Sequence, residues 1–90
     1  GPPMPYRIVM KSSARRELRR RPPVAQARIL PVIDALAADP RPPGARKIQG
    51  AVHVYRYRVG DYRVVYTVDD AEAVVSIRRV AHRREVYRSV

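Results

Sequence analysis

The sequence predicts an α+β domain: two N-terminal helices packed on one face of a small, mainly antiparallel twisted sheet, with a short C-terminal tail. Two changes of pattern carry this prediction. Apolar residues recur every three or four positions between residues 24 and 38, as on a helix, and they alternate with polar residues from residue 52 onward, as on strands. A chain of 90 residues has room for one such unit, so we expect residues 4–90 to form a single domain.

The N-terminal part is predicted to contain a strand followed by a helix. Residues 6–11 alternate apolar and polar side chains as a half-buried strand does. Ser12 or Ser13 is suited to cap a helix that runs to Arg21, where Pro22 and the proline after it end the helix. Few apolar residues of this helix have helical spacing, so we expect it to be mostly exposed and basic.

A second helix is predicted over residues 24–38. Its buried stripe consists of Ala25, Ile29, Val32, Ile33 and Leu36. Pro31 removes one backbone hydrogen bond, which predicts a kink near Ala27 or, alternatively, two short helices that meet at the proline. Residues 39–44 have the proline- and glycine-rich composition of a loop.

Three strands are predicted over residues 52–59, 62–68 and 73–80, joined by short turns. Gly60 followed by Asp61 has the glycine-first order of a two-residue type II′ turn, which sets the register of the first hairpin. In that register, one face of the hairpin is the core face. Its residues are Tyr55, Tyr57, Val59, Tyr62, Val64 and Tyr66.

The opposite face of the predicted sheet is rich in arginine. The second hairpin is expected to place Val64 opposite Ile77 and Arg63 opposite Arg78. The arginines that then converge on one open face are Arg56, Arg58, Arg63 and Arg78. Like charges directly opposite one another cost up to about 1 kcal/mol a pair, and no acidic residue falls on this face. Such a cluster indicates a site for a phosphate backbone and carries no information about base sequence.

The overall charge also indicates a polyanionic partner. Nineteen Lys and Arg residues against eight Asp and Glu residues give a net charge of +11, and 17 of the nineteen are arginine. The guanidinium group binds phosphate through two parallel hydrogen bonds and stacks on bases, whereas the lysine ammonium group does neither. We therefore expect the protein to bind nucleic acid, an anionic membrane or an acidic protein.

Several kinds of chemistry lack the residues that they need. The sequence has no cysteine, and its carboxylates form no cluster with metal-ligand spacing, so we expect neither a metal ion nor another cofactor. A glycine-rich phosphate loop and the Gly-x-Ser-x-Gly motif are missing too. His53 shares the parity of the core face and is interpreted as a buried or rim residue. Metal-free phosphoryl chemistry remains, of the kind that is available when RNA supplies its own 2′-hydroxyl nucleophile.

The sequence predicts a cytoplasmic protein. Its longest apolar stretch, residues 29–38, is too short to span a bilayer and is interrupted by Pro31 and Asp34. We find no secretory signal. Residues 1–3 look like the remnant of a cleaved tag and are left out of the predicted domain.

Two stretches of the chain resemble the RelE/ParE toxin superfamily. The first combines Lys-Ile-Gln-Gly at residues 47–50 with Tyr-Arg-Tyr-Arg-Val-Gly-Asp-Tyr-Arg-Val-Val-Tyr at residues 55–66. The second is Arg-Val-Ala-His-Arg-Arg-Glu-Val-Tyr-Arg at residues 79–88. The resemblance extends from residue 4 to the end and implies a RelE-like fold. It also implies a toxin of a type II toxin–antitoxin system that enters the ribosomal A site and cuts mRNA there without a metal ion.

The same resemblance implies the partners. An acidic, partly disordered antitoxin is expected to bind the toxin tightly and to silence it. The complex is expected to repress its own promoter, so that operator DNA is contacted only through the antitoxin complex. The ribosome and mRNA are the expected targets, and no membrane partner is expected.

Register and resemblance together assign roles to particular residues. The residues expected to be catalytic are Arg58, Arg63, Arg83, Tyr87 and His82, and those expected to bind nucleic acid are Arg56, Arg78, Lys47 and Arg84. Arg83 is expected near the leaving oxygen, and Tyr87 is expected to orient a base and support the 2′-hydroxyl. Arg58 stands at a position where the RelE family has a lysine that is credited with acting as a base. Arginine is a poor proton acceptor. Either His82 or Tyr87 therefore takes the proton, or the chemistry is slow, or this member has another target.

Two alternatives remain open at this point. One is a ParE-type inhibitor of DNA gyrase that has no nuclease activity. The other is an inactive homologue that binds only its antitoxin or nucleic acid. ParE-type members tend to lack the full arginine face together with the tail tyrosine, and this sequence has both.

Overall fold

The computed structural model describes residues 5–88, with side chains up to residue 85, so the expected tag remnant at residues 1–3 lies outside it. Its elements in chain order are β1 (Arg7–Met10), α1 (Ser12–Arg20), α2 (Pro23–Ala35), β2 (Arg46–Lys47), β3 (Val54–Val59), β4 (Tyr62–Asp69), β5 (Val74–His82) and α3 (Arg83–Arg88). The strands form one sheet in the order β1-β5-β4-β3-β2. β1 runs parallel to β5, and the other neighbours are antiparallel. This arrangement confirms the predicted fold class.

An apolar cluster between the helices and the sheet forms the core. The helical side contributes Ala14, Leu18, Ile29, Ile33 and Leu36, and the sheet contributes Val59, Val64, Tyr66, Val68, Val75, Ile77 and Val80. Ala25 and Val32 are partly buried against it, which confirms the predicted stripe of the second helix. The predicted core face of the first hairpin is also confirmed, because its remaining tyrosines pack against the same cluster.

α1 and its C-cap residue also take the place of a strand along part of β5. β5 is longer than β1, so the backbone groups at its far end have no strand beside them. Side chains spaced four residues apart meet these groups. Ser13 Oγ donates to the carbonyl of Arg78 (3.4 Å), and Glu17 Oε1 accepts from the N–H of Val80 (3.0 Å). Arg21 Nη2 donates to the carbonyl of Val80 (2.9 Å). These three backbone groups at the edge of the sheet are thereby satisfied.

Two predictions about the helices are wrong. No serine caps α1, because the N-cap position belongs to Lys11 and no side chain makes a capping bond there. α2 does not break into two helices at Pro31 but runs through the proline. Pro31 is exposed, so its ring points away from the core, and only one hydrogen bond of the helix is lost. The kink near Ala27 stays a prediction.

The first hairpin has the predicted register. Val59 lies opposite Tyr62, and Arg58 lies opposite Arg63. Gly60 has a φ angle of +59°, the left-handed conformation that the first central position of a type II′ turn requires. A residue with a side chain is strained in that conformation, so the glycine fixes the turn and, through it, the pairing of β3 with β4.

The predicted register of the second hairpin is wrong. Val64 lies opposite Val80 instead of Ile77, and Arg63 lies opposite Ala81 instead of an arginine. Both pairs are therefore displaced by three positions along β5. The displacement has two causes, a different turn and an irregularity within β5 itself.

The irregularity in β5 is a β-bulge at Arg78. Arg79 lies opposite Val65, while Ile77 lies opposite Tyr66, so Arg78 is an extra residue that faces no partner on β4. A bulge of this kind places two successive side chains on the same side of the strand. Strict alternation could not predict it, and the expected pairing of Arg78 across the sheet is lost.

Three further differences concern short segments. β2 lies where the sequence showed no alternation, and α3 forms within the predicted short C-terminal tail, to which no helix was assigned. His53 precedes β3 with a φ angle of +60° and an exposed side chain, so it is not buried in the core. In the described part of the chain, no helix is both long and apolar enough to cross a membrane.

A charged network fastens the β4–β5 turn to the loop that precedes β2. Asp70 accepts two hydrogen bonds from Arg41 (2.8 and 3.2 Å) and one from the hydroxyl of Tyr6 (2.5 Å). Arg41 also donates to the hydroxyl of Tyr55 (2.9 Å) and lies over its ring. The bonds from Arg41, and then from Tyr6, lower the pKa of Asp70 to about 2. The same contact with Asp70 raises the pKa of Tyr6.

This network predicts a loss of stability in acid. The pKa of Asp70 in the folded state lies below its unfolded value of about 4, so its stabilising effect is complete above that pH. The effect is lost as the pH falls through about 2. We therefore expect the melting temperature of the wild type to exceed that of Asp70→Asn near neutral pH, and this difference to shrink in acid.

Thermal melts followed by circular dichroism between neutral pH and pH ~2 measure this difference. Glu72→Gln, which removes an exposed carboxylate from the same turn, is the matched control and should show no comparable change. A difference between wild type and Asp70→Asn that stays constant down to the lowest pH would contradict the prediction.

Candidate nucleic-acid interface

Arginine side chains line a groove on the open face of the sheet, opposite the helices. The groove has a volume of about 340 Å³. Its lining residues are Gly44, Arg46, Arg56, Arg58 and Arg63. We call it the arginine groove. It contains three of the four arginines that the sequence predicted on this face.

The pleat of the sheet places these arginines. Arg56 and Arg58 lie two residues apart on β3, so they share a face, while Tyr57 between them packs against the core. Arg63 of β4 lies directly opposite Arg58. Arg46 of β2 lies directly opposite Arg56 on the other side of β3. The groove therefore holds two cross-strand pairs of like charge.

The groove has a strongly positive field. Among the described side chains, Arg46, Arg56 and Arg58 form no ion pair with an acidic residue. Arg58 Nε donates to the carbonyl of Gly60 (3.0 Å), which holds this guanidinium beside the turn. Arg63 is half-buried, whereas the other three arginines are exposed. Each directly opposed pair costs up to about 1 kcal/mol, so a bound anion would stabilise the sheet.

Arg46 is the member of the groove that sequence analysis missed. It belongs to a two-residue strand next to a proline-rich loop, where no periodicity marks a strand. Gly44 brings this loop close to the sheet with a φ angle of +97°, and a Cβ atom there would lie 3.5 Å from the ring of Tyr57. A glycine is needed at this position because other residues rarely adopt that backbone conformation.

Three predicted nucleic-acid-binding residues, Lys47, Arg78 and Arg84, do not line the groove. Lys47 is paired with Tyr55, so it belongs to the opposite side of the sheet from Arg46. Arg78, the residue of the bulge, lies beside the start of α1 and lines a second cavity with Lys11. Predicting the position of Lys47 would have required the register of β2, and predicting that of Arg78 would have required the register of β5.

His82 also lies away from the arginine groove. It is paired with Tyr62, whose ring packs against the core, so both side chains belong to the helix-covered side. The two rings meet edge to face, with their centroids 5.4 Å apart. His82 Nδ1 accepts a hydrogen bond from the backbone N–H of Arg84 (3.3 Å). In this arrangement the imidazole does not face the groove.

The start of α3 is held against the β3–β4 turn. The N–H of Arg83 donates to the carbonyl of Asp61 (2.7 Å), and its guanidinium lies 3.9 Å from the Asp61 carboxylate. Arg84 is exposed. Tyr87 belongs to α3, but its side chain lies outside the described residues.

Glu85 ties α3 to the core. Its carboxylate forms an ion pair with Arg21 (2.9 Å) and accepts from the N–H of His82 (3.1 Å). The hydrogen bond from Arg21 is the main reason why the pKa of Glu85 is lowered. Arg21 lies in turn over the ring of Tyr62, at 5.4 Å from the centroid. These contacts fix where the C-terminal residues leave the sheet.

The arginine groove offers hydrogen-bond donors that carry positive charge, which suits an anionic ligand. Among the described residues, no three His, Asp or Glu side chains lie close enough together to hold a metal ion.

Comparison with known proteins identifies the family. The model of the ParE toxin of type II toxin–antitoxin systems matches residues 8–87. Toxin RelG of Mycobacterium tuberculosis is 33% identical over 86 residues, which cover 94% of this chain and 99% of that toxin. Toxin RelE of the same organism is 34% identical over 85 residues, which cover 93% of this chain and 88% of that toxin.

A solved structure agrees with these matches. The archaeal RelE–RelB complex from Pyrococcus horikoshii contains a chain that superposes with a TM-score of 0.79 and 30% sequence identity. The superposition covers 89% of this chain and 97% of the other. On these matches, which extend over nearly the whole described fold, the chain belongs to the RelE/ParE superfamily of toxins from type II toxin–antitoxin systems.

Proposed function

We propose that this toxin is a ribosome-dependent endoribonuclease that cuts mRNA in the ribosomal A site. The arginine groove is the observation that carries the proposal, because it gathers four guanidinium groups on an open sheet face. Among the described side chains, Arg46, Arg56 and Arg58 form no ion pair with an acidic residue. Phosphodiesters are the ligands that such a groove fits best. The RelE and RelG toxins to which the chain is similar support the same activity.

In the proposed reaction, the 2′-oxygen of a ribose attacks the adjacent phosphate in line with the leaving 5′-oxygen. The P–O5′ bond breaks, a 2′,3′-cyclic phosphate forms, and the leaving oxygen takes up a proton. Arg58 and Arg63 neutralise the charge that develops on the phosphate in the transition state, while Arg56 and Arg46 bind the neighbouring backbone. Fixed positive charge of this kind commonly makes the largest single contribution to catalysis.

The proton of the 2′-hydroxyl needs an acceptor other than Arg58. Arginine keeps its proton at any physiological pH, so it stabilises charge without acting as a base. Of the two predicted acceptors, His82 would have to leave its contacts with Tyr62 and Arg84 to reach the groove. We therefore favour Tyr87, with Arg83 near the leaving oxygen as the resemblance implies.

We further propose a cognate acidic antitoxin as the silencing partner. Solved relatives include a RelE–RelB complex, and the net charge of +11 favours an acidic chain. Operator DNA would be bound only through the antitoxin complex. The ribosome and mRNA as targets place the activity in the cytoplasm.

Inhibition of DNA gyrase is the alternative function, and the match to the ParE family model favours it. A gyrase inhibitor needs no cleavage chemistry, so the two functions are separated by whether RNA is cut. A supercoiling assay with purified gyrase tests the alternative directly.

The endonuclease proposal predicts that cleavage depends on the arginine groove. Primer extension on a defined mRNA, incubated with purified protein, should reveal cuts at the A-site codon only when programmed ribosomes are present. Arg63→Gln should slow cleavage by roughly 10²–10³-fold, the effect of removing one charge-stabilising donor. Arg20→Gln, which removes the same charge from the exposed surface of α1, should cut normally.

Two further variants in the same assay identify the proton acceptor. Tyr87→Phe should slow cleavage and His82→Gln should not. The opposite pattern would assign the role to His82. If no condition gives cleavage, the endonuclease proposal is wrong, and the gyrase assay becomes decisive.

The partner proposal predicts an association rate that depends on salt. Attraction between the cationic groove and an acidic antitoxin speeds encounter at low ionic strength, and added salt screens it. Stopped-flow fluorescence should show the association rate constant falling by tenfold or more between about 20 and 300 mM salt. Arg56→Gln/Arg58→Gln should weaken this dependence on salt. An association rate constant that does not change with salt would contradict electrostatic acceleration of the encounter.

A further inference from the structure

A second cavity lies on the same open sheet face as the arginine groove. Its volume is about 510 Å³, and its lining residues are Lys11, Ser12, Ser13, Val54, Val65, Arg78 and Arg79. We call it the valine trough. It shares no lining residue with the arginine groove, but Val65 lies directly between Arg56 on β3 and Arg79 on β5. The two depressions therefore adjoin across a single sheet face.

The trough combines an apolar floor with a cationic edge. Val54 and Val65 are half-buried on the floor, on the side of the sheet away from the core. Lys11 and Arg78 are exposed, and neither forms an ion pair with an acidic residue among the described side chains. Arg79 differs from them, because its guanidinium is bound to Glu17 at 3.1 Å. Lys11 and Arg78 thus supply the charge available to a ligand.

The β-bulge creates the cationic edge. In a regular strand, Arg78 and Arg79 would point to opposite faces. The extra residue in β5 lets both line the trough, and the start of α1 brings Lys11 beside them. Bulges often redirect a side chain toward a functional site, and this one adds a cation to a face that already has the arginine groove.

We propose that the valine trough binds a nucleotide of the same RNA strand whose scissile phosphate occupies the arginine groove. One flat base face lies on Val54 and Val65, and the phosphate of that nucleotide meets Lys11 and Arg78. This inference rests on the proposed function, since it assumes that RNA occupies the groove. The strands of Arg56 and Arg78 are separated by one strand, a distance of about 10 Å, which adjacent or next-but-one nucleotides can bridge.

The chemistry favours single-stranded RNA over other occupants. Non-specific single-strand sites pair a cationic path along the backbone with aromatic side chains on which bases stack. In the trough, the methyl groups of Val54 and Val65 offer a base an apolar surface in place of an aromatic ring. Here both parts adjoin, and the cationic path is continuous with the arginine groove. No sequence preference follows, because the floor offers only methyl groups to the base.

Binding of uncleavable RNA tests the proposal without relying on catalysis. The probe is a fluorescein-labelled 2′-O-methyl RNA nonamer, measured by fluorescence anisotropy over a range of salt concentrations. Lys11→Gln/Arg78→Gln should weaken nonamer binding by about tenfold and should lower the salt slope by about 0.7, the value for one single-strand phosphate contact. A dinucleoside monophosphate, titrated by NMR, has one phosphate and should bind the variant as it binds the wild type.

The matched control removes equal charge from exposed residues that line neither the trough nor the arginine groove. Arg19→Gln/Arg20→Gln changes two exposed residues of α1 and should leave the nonamer's salt slope nearly unchanged. Melting temperatures of both double variants verify that each is folded. A measurement that needs no variant supports the same site: a nonamer carrying 4-thiouridine should crosslink to the wild type within residues 11–13 or 78–79.

Several outcomes would overturn the proposal. If Lys11→Gln/Arg78→Gln matches the control while Arg58→Gln still weakens nonamer binding, the trough is not a nucleotide site and the proposed function stands. If no variant of either site changes nonamer binding and ribosome-dependent cleavage is also missing, the proposed function fails as well. If the trough variant binds RNA normally but loses affinity for an acidic antitoxin peptide, the trough is a protein-binding surface.

Discussion

Repulsion between opposed guanidinium groups is the constraint on which the candidate site depends. Arg58 faces Arg63 and Arg46 faces Arg56 across neighbouring strands, so the sheet brings together charges that would otherwise separate. Burial of the apolar side of the same strands offsets the cost of this repulsion. Tyr57 and Val59 alternate with the arginines on β3 and pack against the core, and β4 does the same through Val64. Folding therefore assembles a cationic surface whose internal repulsion a bound anion would lower.

Because core residues and arginines alternate on the same strands, the register of β3 and β4 is essential to both the core and the candidate site. A slip of one residue would turn the arginines toward the helices and expose the tyrosines. The turn at Gly60 prevents such a slip, because its left-handed backbone fits a two-residue connection. Toward the other edge of the sheet, side chains from α1 and Arg21 bind backbone groups of β5 that have no neighbouring strand. Arg21 also forms an ion pair with Glu85 near the start of α3. The candidate site thus depends on residues distant from it.

Local patterns predicted the parts of the fold that follow local rules. The alternation of residues 55–66 and the glycine-first turn gave the correct pairing of β3 with β4, and so the positions of Arg56, Arg58 and Arg63. The bulge at Arg78 was beyond prediction, since an extra residue in a strand has no periodic signal. Arg46 was missed for a related reason, because a two-residue strand forms only when its partner is present. The same bulge shifts the alternation of β5 by one residue, so His82 lies on the helix-covered side of the sheet.

The opposed arginines should destabilise the free protein and stabilise its complex with RNA. A double-mutant cycle tests it with urea unfolding of the wild type, Arg58→Gln, Arg63→Gln and the double variant, at low salt, with and without 2′-O-methyl RNA. The cycle separates the pair from the other contacts of Arg63. We predict an unfavourable coupling of up to about 1 kcal/mol in the free protein that disappears or changes sign with RNA. A coupling that is zero or favourable without RNA, and unchanged by it, would contradict the account.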